Sequence, residues 1–334
     1  MTDHAVLDRA RSGDADAFAE LTAPHRRELH VHCYRMLGSF EDADDAVQDT
    51  LLAAWRGLAG FQARASVRTW LYRVATNTCL NLIRAGSRRP QMTEALPAAA
   101  PAPTGAERVT WLQPYPDMLL DALPDEAPGP EARVEQHEAV SLAFITALQL
   151  LSPRARAVLI LRDVLGFTAR EVAETLGSTE DAVAMTLSRA RASLRGRSLP
   201  PAARAGTAAE EALVRRLAAA FTAHDVDTVV SLLTEDVRIS MPPLPAVWEG
   251  RKRAAEFVAE VAFRLVPEAR FVPVRANRQP ALAVYSRDEA NGLWRGGGLL
   301  VVTPRGDLVA GLTRFESHTL RAFGLPRVLP GEDT

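Results

Sequence analysis

Between Pro24 and Pro90 the chain carries no proline, and apolar residues recur there every three or four positions. That combination fits a run of amphipathic helices over residues 14–85. Residues 86–136 change character: proline and alanine dominate, as in PAAAPAP, and acids outnumber bases, which reads as a linker. Residues 137–197 return to helix. Residues 208–328 alternate helical and strand-like runs, an α+β module whose helices come first and whose antiparallel sheet follows. With 334 residues and 47% hydrophobic content, the chain can bury more than one core.

Local punctuation sharpens these divisions. Ser152-Pro153 has the form of a helix cap followed by proline in the first turn. Thr168 to Glu171 has the capping-box pattern, and Gly166 and Gly177 are placed to end helices. A second breaker, SLPPAARAGT at 198–207, closes the segment. Beyond it, helices are expected at 209–223, 225–233 and 251–264. Strands are expected at 237–241, 270–275, 281–286, 298–303 and 307–316, with hairpin turns at DEANG and PRGD.

Within the first helical run, VRTWLYRVATNTCLNLIR (67–84) sets Trp70, Arg73, Asn77, Asn81 and Arg84 on one helix face. Leu71, Ala75, Cys79 and Leu82 fall on the side that can pack. Amides can bond base edges, guanidiniums can hold phosphates and an indole can stack on an unpaired base. From Thr50 to Thr93 there are seven arginines and no acid. The plainer alternative is a solvated polar face with Trp70 in the core. Lys252 is the only lysine in the chain, so the choice of arginine carries no weight at any position.

Just upstream, EDADDAVQDTLLAAWRGL (41–58) puts Asp42, Asp45 and Asp49 on one face, with Val47, Leu51, Ala54 and Leu58 opposite. An acidic face repels phosphate and suits a protein partner bearing basic residues. Solvation alone is the simpler reading. Metal binding is disfavoured because no rigid loop surrounds these carboxylates. Residues 167–197 read as helix–turn–helix, the second helix starting at Ser178 or Thr179 and running into Arg189, Arg191, Arg195 and Arg197. Cys33 and Cys79 lack metal-ligand spacing and read as small buried side chains.

These pieces meet a family. AFAELTAPHRRELHVHCYRMLGSFEDADDAVQDTLLAAWRGL with VRTWLYRVATNTCLNLIR resembles region 2 of extracytoplasmic-function sigma factors. LSPRARAVLILRDVLGFTAREVAETLGSTEDAVAMTLSRARASLR resembles their region 4. The resemblance implies a multidomain chain with two all-α sigma domains: a region 2 helical bundle over 14–86 and a region 4 helix-turn-helix over 137–197. The linker spans 87–136. Asp42, Asp45, Gln48, Asp49 and Trp55 match positions that grip the β′ clamp of core RNA polymerase, and the β flap is a further expected partner. Trp70, Arg73, Asn77, Asn81 and Arg84 match positions that hold the melted −10 element. Thr179, Ala182, Thr186, Arg189 and Arg191 lie where the −35 element of promoter DNA is read. The recognition helix departs from the usual pattern: where many members carry Lys or Arg, this chain has Glu180, Asp181, Ala182, Ala184 and Met185. Weak −35 affinity or an unusual −35 sequence is therefore expected.

The C-terminal stretch, carried by LAAAFTAHDVDTVVSLLTEDVRISMPP, the W-E-G at 248–250 and the closing hairpins, resembles the SnoaL-like α+β cone, here over 208–328. ANRQPALAVY (276–285) and WLQPYPD (111–117) resemble the subset of sigma factors that fuse such a cone. The resemblance implies modulation in cis, with Trp111 and Tyr115 as the docking point of the linker. A small ligand of the cone is a further expectation. The enzyme alternative is a cone-fold isomerase, cyclase or hydrolase with a DNA-binding appendage, using His224, Asp225, Asp236, Glu249, Tyr285 or His318. An ordinary helix–turn–helix regulator acting without polymerase is a second alternative. No catalysis, cofactor, metal or membrane association is expected, and the polar N-terminus suits a cytoplasmic protein.

Overall fold

The computed structural model describes residues 2–62, 65–86, 96–121, 139–195 and 206–331. Two compact units account for them: 2–86, 119–121, 139 and 144–195 form the first, and 96–118, 140–143 and 206–331 form the second. The stretch read as a linker is thus divided. Residues 96–118 pack with the C-terminal unit, whereas 87–95 and 122–136 lie outside the described residues, as do Arg197 and the breaker at 198–205. Among the described residues no helix is long and apolar enough to cross a membrane.

The first unit opens with α1 (Thr2–Arg11), α2 (Ala15–Thr22), α3 (Arg26–Leu37), α4 (Phe40–Gly57) and α5 (Val67–Ala85). Helix thus begins upstream of the expected residue 14, and Pro24 falls inside the 3-10 turn Ala23–His25. Gly38, at φ 79, ends α3, and the Ser39 hydroxyl accepts from the Asp42 amide to start α4. Ala43, Ala46 and Ala54 of α4 are fully buried, as are Leu29 and Met36 of α3 and Leu71 and Ala75 of α5. The small alanine side chains of α4 let it lie close to its neighbours.

The same unit contains α6 (Leu142–Gln149) from residue 144 onward, α7 (Pro153–Leu159) running into a π turn (Ile160–Val164), α8 (Ala169–Leu176) and α9 (Glu180–Arg195). The caps read from sequence are present: Ser152 on α7, the Thr168–Glu171 box on α8, and Gly177 in left-handed conformation behind it. Tyr72 of α5 meets Phe167 edge-on at 5.6 Å. Arg156 is buried at the junction of α3, α6 and α7. Its guanidinium donates to the carbonyls of Leu148 (2.9 Å), Gln149 (2.9 Å) and Leu151 (3.3 Å), to the Gln149 side-chain oxygen (2.5 Å) and to the Met36 carbonyl. Burial lowers its pKa to about 10, still far above neutrality.

Replacing Arg156 by Ala leaves these acceptors buried without their donor, a loss of about 3 kcal/mol or more in chemical denaturation. A second expectation concerns pH. Burial depresses His32 to about 3 and His30 to about 4, while unfolded imidazole titrates near about 6.5. Below that value the unfolded chain takes up protons that the folded chain refuses, so stability is complete above about pH 6.5 and declines as pH falls toward 4. Urea midpoints at pH 7 and pH 5 check this, and His30→Asn should reduce the difference while the His32 contribution persists.

In the second unit, α10 (Ala208–Thr222), α11 (Val226–Ser231) and α12 (Arg251–Phe257) pack on a seven-stranded sheet. The strands are β1 (Leu233–Ser240), β2 (Val247–Glu249), β3 (Ala269–Ala276), β4 (Gln279–Arg287), β5 (Trp294–Arg305), β6 (Leu308–Phe315) and β7 (Val328–Leu329), in the order β2-β1-β6-β5-β4-β3 with β7 beside β5. The sheet is mixed rather than wholly antiparallel: β1 runs parallel to β6, pairing Ile239 with Leu312. The chain between them is long enough to make the crossover that parallel pairing requires. Leu213, Leu217, Val229, Val237, Phe257, Val302 and Leu312 join in one apolar core. Gly298 adopts φ 137 beside the shift of register between β4 and β5, where a Cβ would lie 2.0 Å from the Phe315 carbonyl oxygen. Glycine at that bulge lets the sheet bend over its helices.

Candidate nucleic-acid and polymerase interface

The faces of α4 are cleanly divided. Ala43, Ala46, Val47, Thr50 and Ala54 are buried, while Asp45, Gln48 and Asp49 on the other side are exposed. Asp42 is half-buried, and its carboxyl is raised mainly by burial, with Asp45 and Glu41 adding to the effect against the Ser39 bond. Trp55 is 36% exposed and meets Phe18 edge-on at 5.1 Å. Leu52 shares the acidic face and is 54% exposed. Sequence reasoning passed over it, although its place one turn beyond Asp49 and two beyond Asp45 was a usable signal, an apolar side chain where solvation predicts a polar one.

Helix α5 is capped by Ser66, whose hydroxyl accepts from the Thr69 amide at 3.0 Å. Leu71, Tyr72, Ala75, Thr76, Cys79 and Leu80 are buried, and Leu82, expected on the packed side, is half-buried. Arg73, Asn77, Asn81 and Arg84 are exposed along the opposite face. Arg84 donates to the Asn81 side-chain oxygen at 2.9 Å. Trp70 is half-buried, stacked on Phe61 with ring centroids 4.8 Å apart. The array is aimed by a cluster the sequence did not reveal: Glu28 of α3 accepts from His25 (2.6 Å), Arg68 (2.8 Å) and Tyr72 (3.1 Å). Burial raises the Glu28 pKa, but the bonds from His25 and Arg68 outweigh it and hold the carboxyl below its usual value.

At the start of α9 the Thr179 hydroxyl accepts from the Ala182 amide at 3.2 Å. Val183, Leu187 and Ala190 are buried. Ala182 and Arg189 are exposed, and Thr186 is half-buried. Arg191 is exposed but engaged, donating twice to Asp163 at 2.6 and 2.9 Å. The base-facing and phosphate-facing candidates thus lie along one helix, whereas Arg191 is turned toward its own domain.

The WLQPYPD segment lies on the second unit. Tyr115 is buried and Trp111 half-buried. The β3–β4 hairpin turns through Asn277 and Arg278, both at positive φ (55 and 61). The buried Asn277 side chain accepts from the Tyr115 amide (2.7 Å) and donates to the Val140 carbonyl (2.6 Å), while its own amide donates to the Tyr115 carbonyl (2.9 Å). Asp117 accepts from the Arg278 amide at 2.7 Å and from Arg275 at 3.2 Å. Farther upstream, Trp248 donates to the Pro101 carbonyl at 2.8 Å, and Thr104 and Gly105 pair with Val247 of β2.

The cone carries a cleft, partly open to solvent, lined by Phe221, Met241, Phe257, Phe263, Phe271 and other apolar side chains, with Arg314 the one charged residue of its lining. None of the six acid–base candidates lines it. Asp236 pairs with Arg305 at 2.8 Å, Asp225 caps α11, Tyr285 donates to the Pro326 carbonyl at 2.9 Å, and Glu249 approaches Arg238 at 3.4 Å. His224 is exposed against Phe263, and His318 lies 3.5 Å from Gln113.

Family descriptions match in the same order: Sigma-70 region 2 over residues 21–89, Sigma-70 region 4 over 141–194 and a SnoaL-like domain over 214–316. The ECF RNA polymerase sigma factor SigG of Mycobacterium tuberculosis is 40% identical over 326 residues, covering 95% of this chain and 85% of that protein. The chain belongs to the extracytoplasmic-function sigma factors. Another member, SigJ of the same species, is 33% identical over 214 residues, 64% of this chain and 61% of SigJ. The crystal structure of SigJ superposes with a TM-score of 0.56 at 25% identity, covering 90% of this chain and 96% of that one. As a sigma factor the protein binds RNA polymerase and promoter DNA, and its C-terminal domain is SnoaL-like.

The Asn277 amide can be tested directly. Asn277→Ala removes two bonds and places Ala at positive φ, a combined cost of about 3 kcal/mol. Limited proteolysis within 96–121 should accelerate at least about tenfold, since 1.4 kcal/mol is a factor of ten. Asn277→Gly relieves the backbone yet should still expose the segment.

Proposed function

We propose that this sigma factor divides its work among three surfaces. The exposed face of α4, with Asp42, Asp45, Gln48, Asp49, Leu52 and Trp55, docks on the β′ clamp of core polymerase, while region 4 contacts the β flap. Carboxylates there attract a basic partner, and Leu52 and Trp55 supply the apolar centre that such an interface needs. The face of α5 holds the unpaired strand of the −10 element. Trp70 offers a stacking surface, Asn77 and Asn81 offer donors and acceptors to base edges, and Arg73 and Arg84 hold phosphates. Keeping a base out of the stack offsets the few kcal/mol that unstacking costs, so the duplex opens without covalent chemistry. Helix α9 reads the −35 element as duplex.

The domains correspond to region 2 over 14–86, region 4 over 137–197 and the cone over 208–328. The cone acts in cis by holding the WLQPYPD segment of the linker on its β3–β4 turn. Its cleft suits a small, largely apolar ligand. The protein works beside polymerase in the cytoplasm.

The observation that carries this reading is the pairing of an acidic, partly apolar face on α4 with an acid-free amide and guanidinium face on α5. Reversing charge at both Asp45 and Asp49 to Arg should cut capture of core polymerase by about tenfold or more, on the scale measured for close interfacial charge pairs. Far-ultraviolet circular dichroism should stay unchanged, because both side chains are exposed. Undiminished capture by the double variant would overturn the assignment of α4.

A further inference from the structure

The outward face of α9 is unusual for a helix that meets DNA. At about 100° per residue, the buried residues Val183, Leu187 and Ala190 define one side of the helix. Asp181, Met185, Ser188 and Ala192 then fall on the opposite side, with Ala182 and Arg189 flanking. Met185 lies at the centre of that face and is 56% exposed. Arg170 and Arg189 bracket a stretch, 171–188, without any basic residue. The first two turns therefore cannot make the bidentate arginine or lysine contact to guanine that is the commonest specific contact in the major groove.

What these turns do present is apolar and acidic. In the major groove the only apolar feature of a base edge is the thymine C5-methyl group, and the partners of a carboxylate are the exocyclic amino groups of cytosine and adenine. An exposed methionine loses hydration favourably against a methyl group, and its unbranched thioether adapts to its surroundings. A carboxylate held near phosphate is unfavourable, so Asp181 gains most by bonding an amino group. Affinity for the backbone falls to Arg189 and Arg195 farther along the helix.

We propose that Met185, supported by Ala182, is a specificity-determining residue of region 4 that selects thymine in the −35 element through its methyl group. This rests on the reading of α9 as the −35 helix. The test uses full-length protein assembled with core polymerase and a promoter library randomised upstream of a fixed −10 element. From the enriched promoter, each thymine of the −35 element on either strand is replaced singly by deoxyuridine, which removes only the methyl group. At one thymine or more, binding by the wild-type holoenzyme should fall about three- to fivefold, the value of one buried methyl group. Met185→Ala should bind the thymine promoter correspondingly less well and be indifferent to deoxyuridine at that position. Deoxyuridine tolerated at every position, enrichment of −35 elements without thymine, or full methyl dependence retained in Met185→Ala would each overturn the proposal while leaving α9 as the −35 helix. A library that enriches no sequence upstream at all would instead remove the reading of α9 itself. Because Met185 is exposed, its truncation leaves the fold intact, which a thermal melt verifies.

Discussion

The helical unit depends on one buried guanidinium. A helix ends with backbone carbonyls that no intrahelical amide can reach, and burying such an end requires donors from elsewhere. Arg156 of α7 supplies them, taking the carbonyls of Leu148, Gln149 and Leu151 at the end of α6 together with that of Met36 near the end of α3. Gln149 in turn donates to the Arg35 carbonyl at 3.1 Å and accepts from Arg156. Two helix ends and the start of a third are thereby joined through polar groups that must all be present together. Gly38 follows at once, and Ser39 then opens α4. The direction in which the acidic face of α4 points is inherited from that node.

Much of this was legible in the residues, and the rest was hidden for physical reasons. Caps are local chemistry, so Ser152, Thr168 with Glu171, and Gly177 marked helix ends from sequence alone. The 3.6-residue period showed which sides of α4 and α5 face water. By contrast, Arg156 acts across 120 positions to Met36, and nothing in its neighbours distinguishes it from a surface arginine. The same holds for Glu28, which joins Arg68 across 40 positions. β2 is three residues long and β7 two, too short for an alternating pattern to emerge. The parallel pairing of β1 and β6 belongs to the tertiary fold, since strand direction leaves no mark on a single strand's sequence.

Charge is distributed by task rather than by amount. A net charge of −2 conceals an acidic face on α4 and an acid-free stretch across α5. Separation of this kind orients the molecule: one face is repelled by the polyanion that the other attracts. In region 4 the balance differs again, with Glu180 and Asp181 leading α9. Those acids suit the positive end of the helix dipole, so they stabilise the free helix while opposing non-specific attraction to phosphate.

Among the contacts that hold the linker segment, those of Asn277 combine two requirements in one side chain. The Asn277 amide meets the backbone at Tyr115 and at Val140, so one side chain holds two separate positions of the chain. A carboxamide, with a donor and an acceptor on one planar group, can serve both backbones at once. Asparagine also tolerates the left-handed turn that a two-residue hairpin demands. At Asn277 the hairpin turn of the cone and one anchor of the linker segment therefore rest on the same side chain.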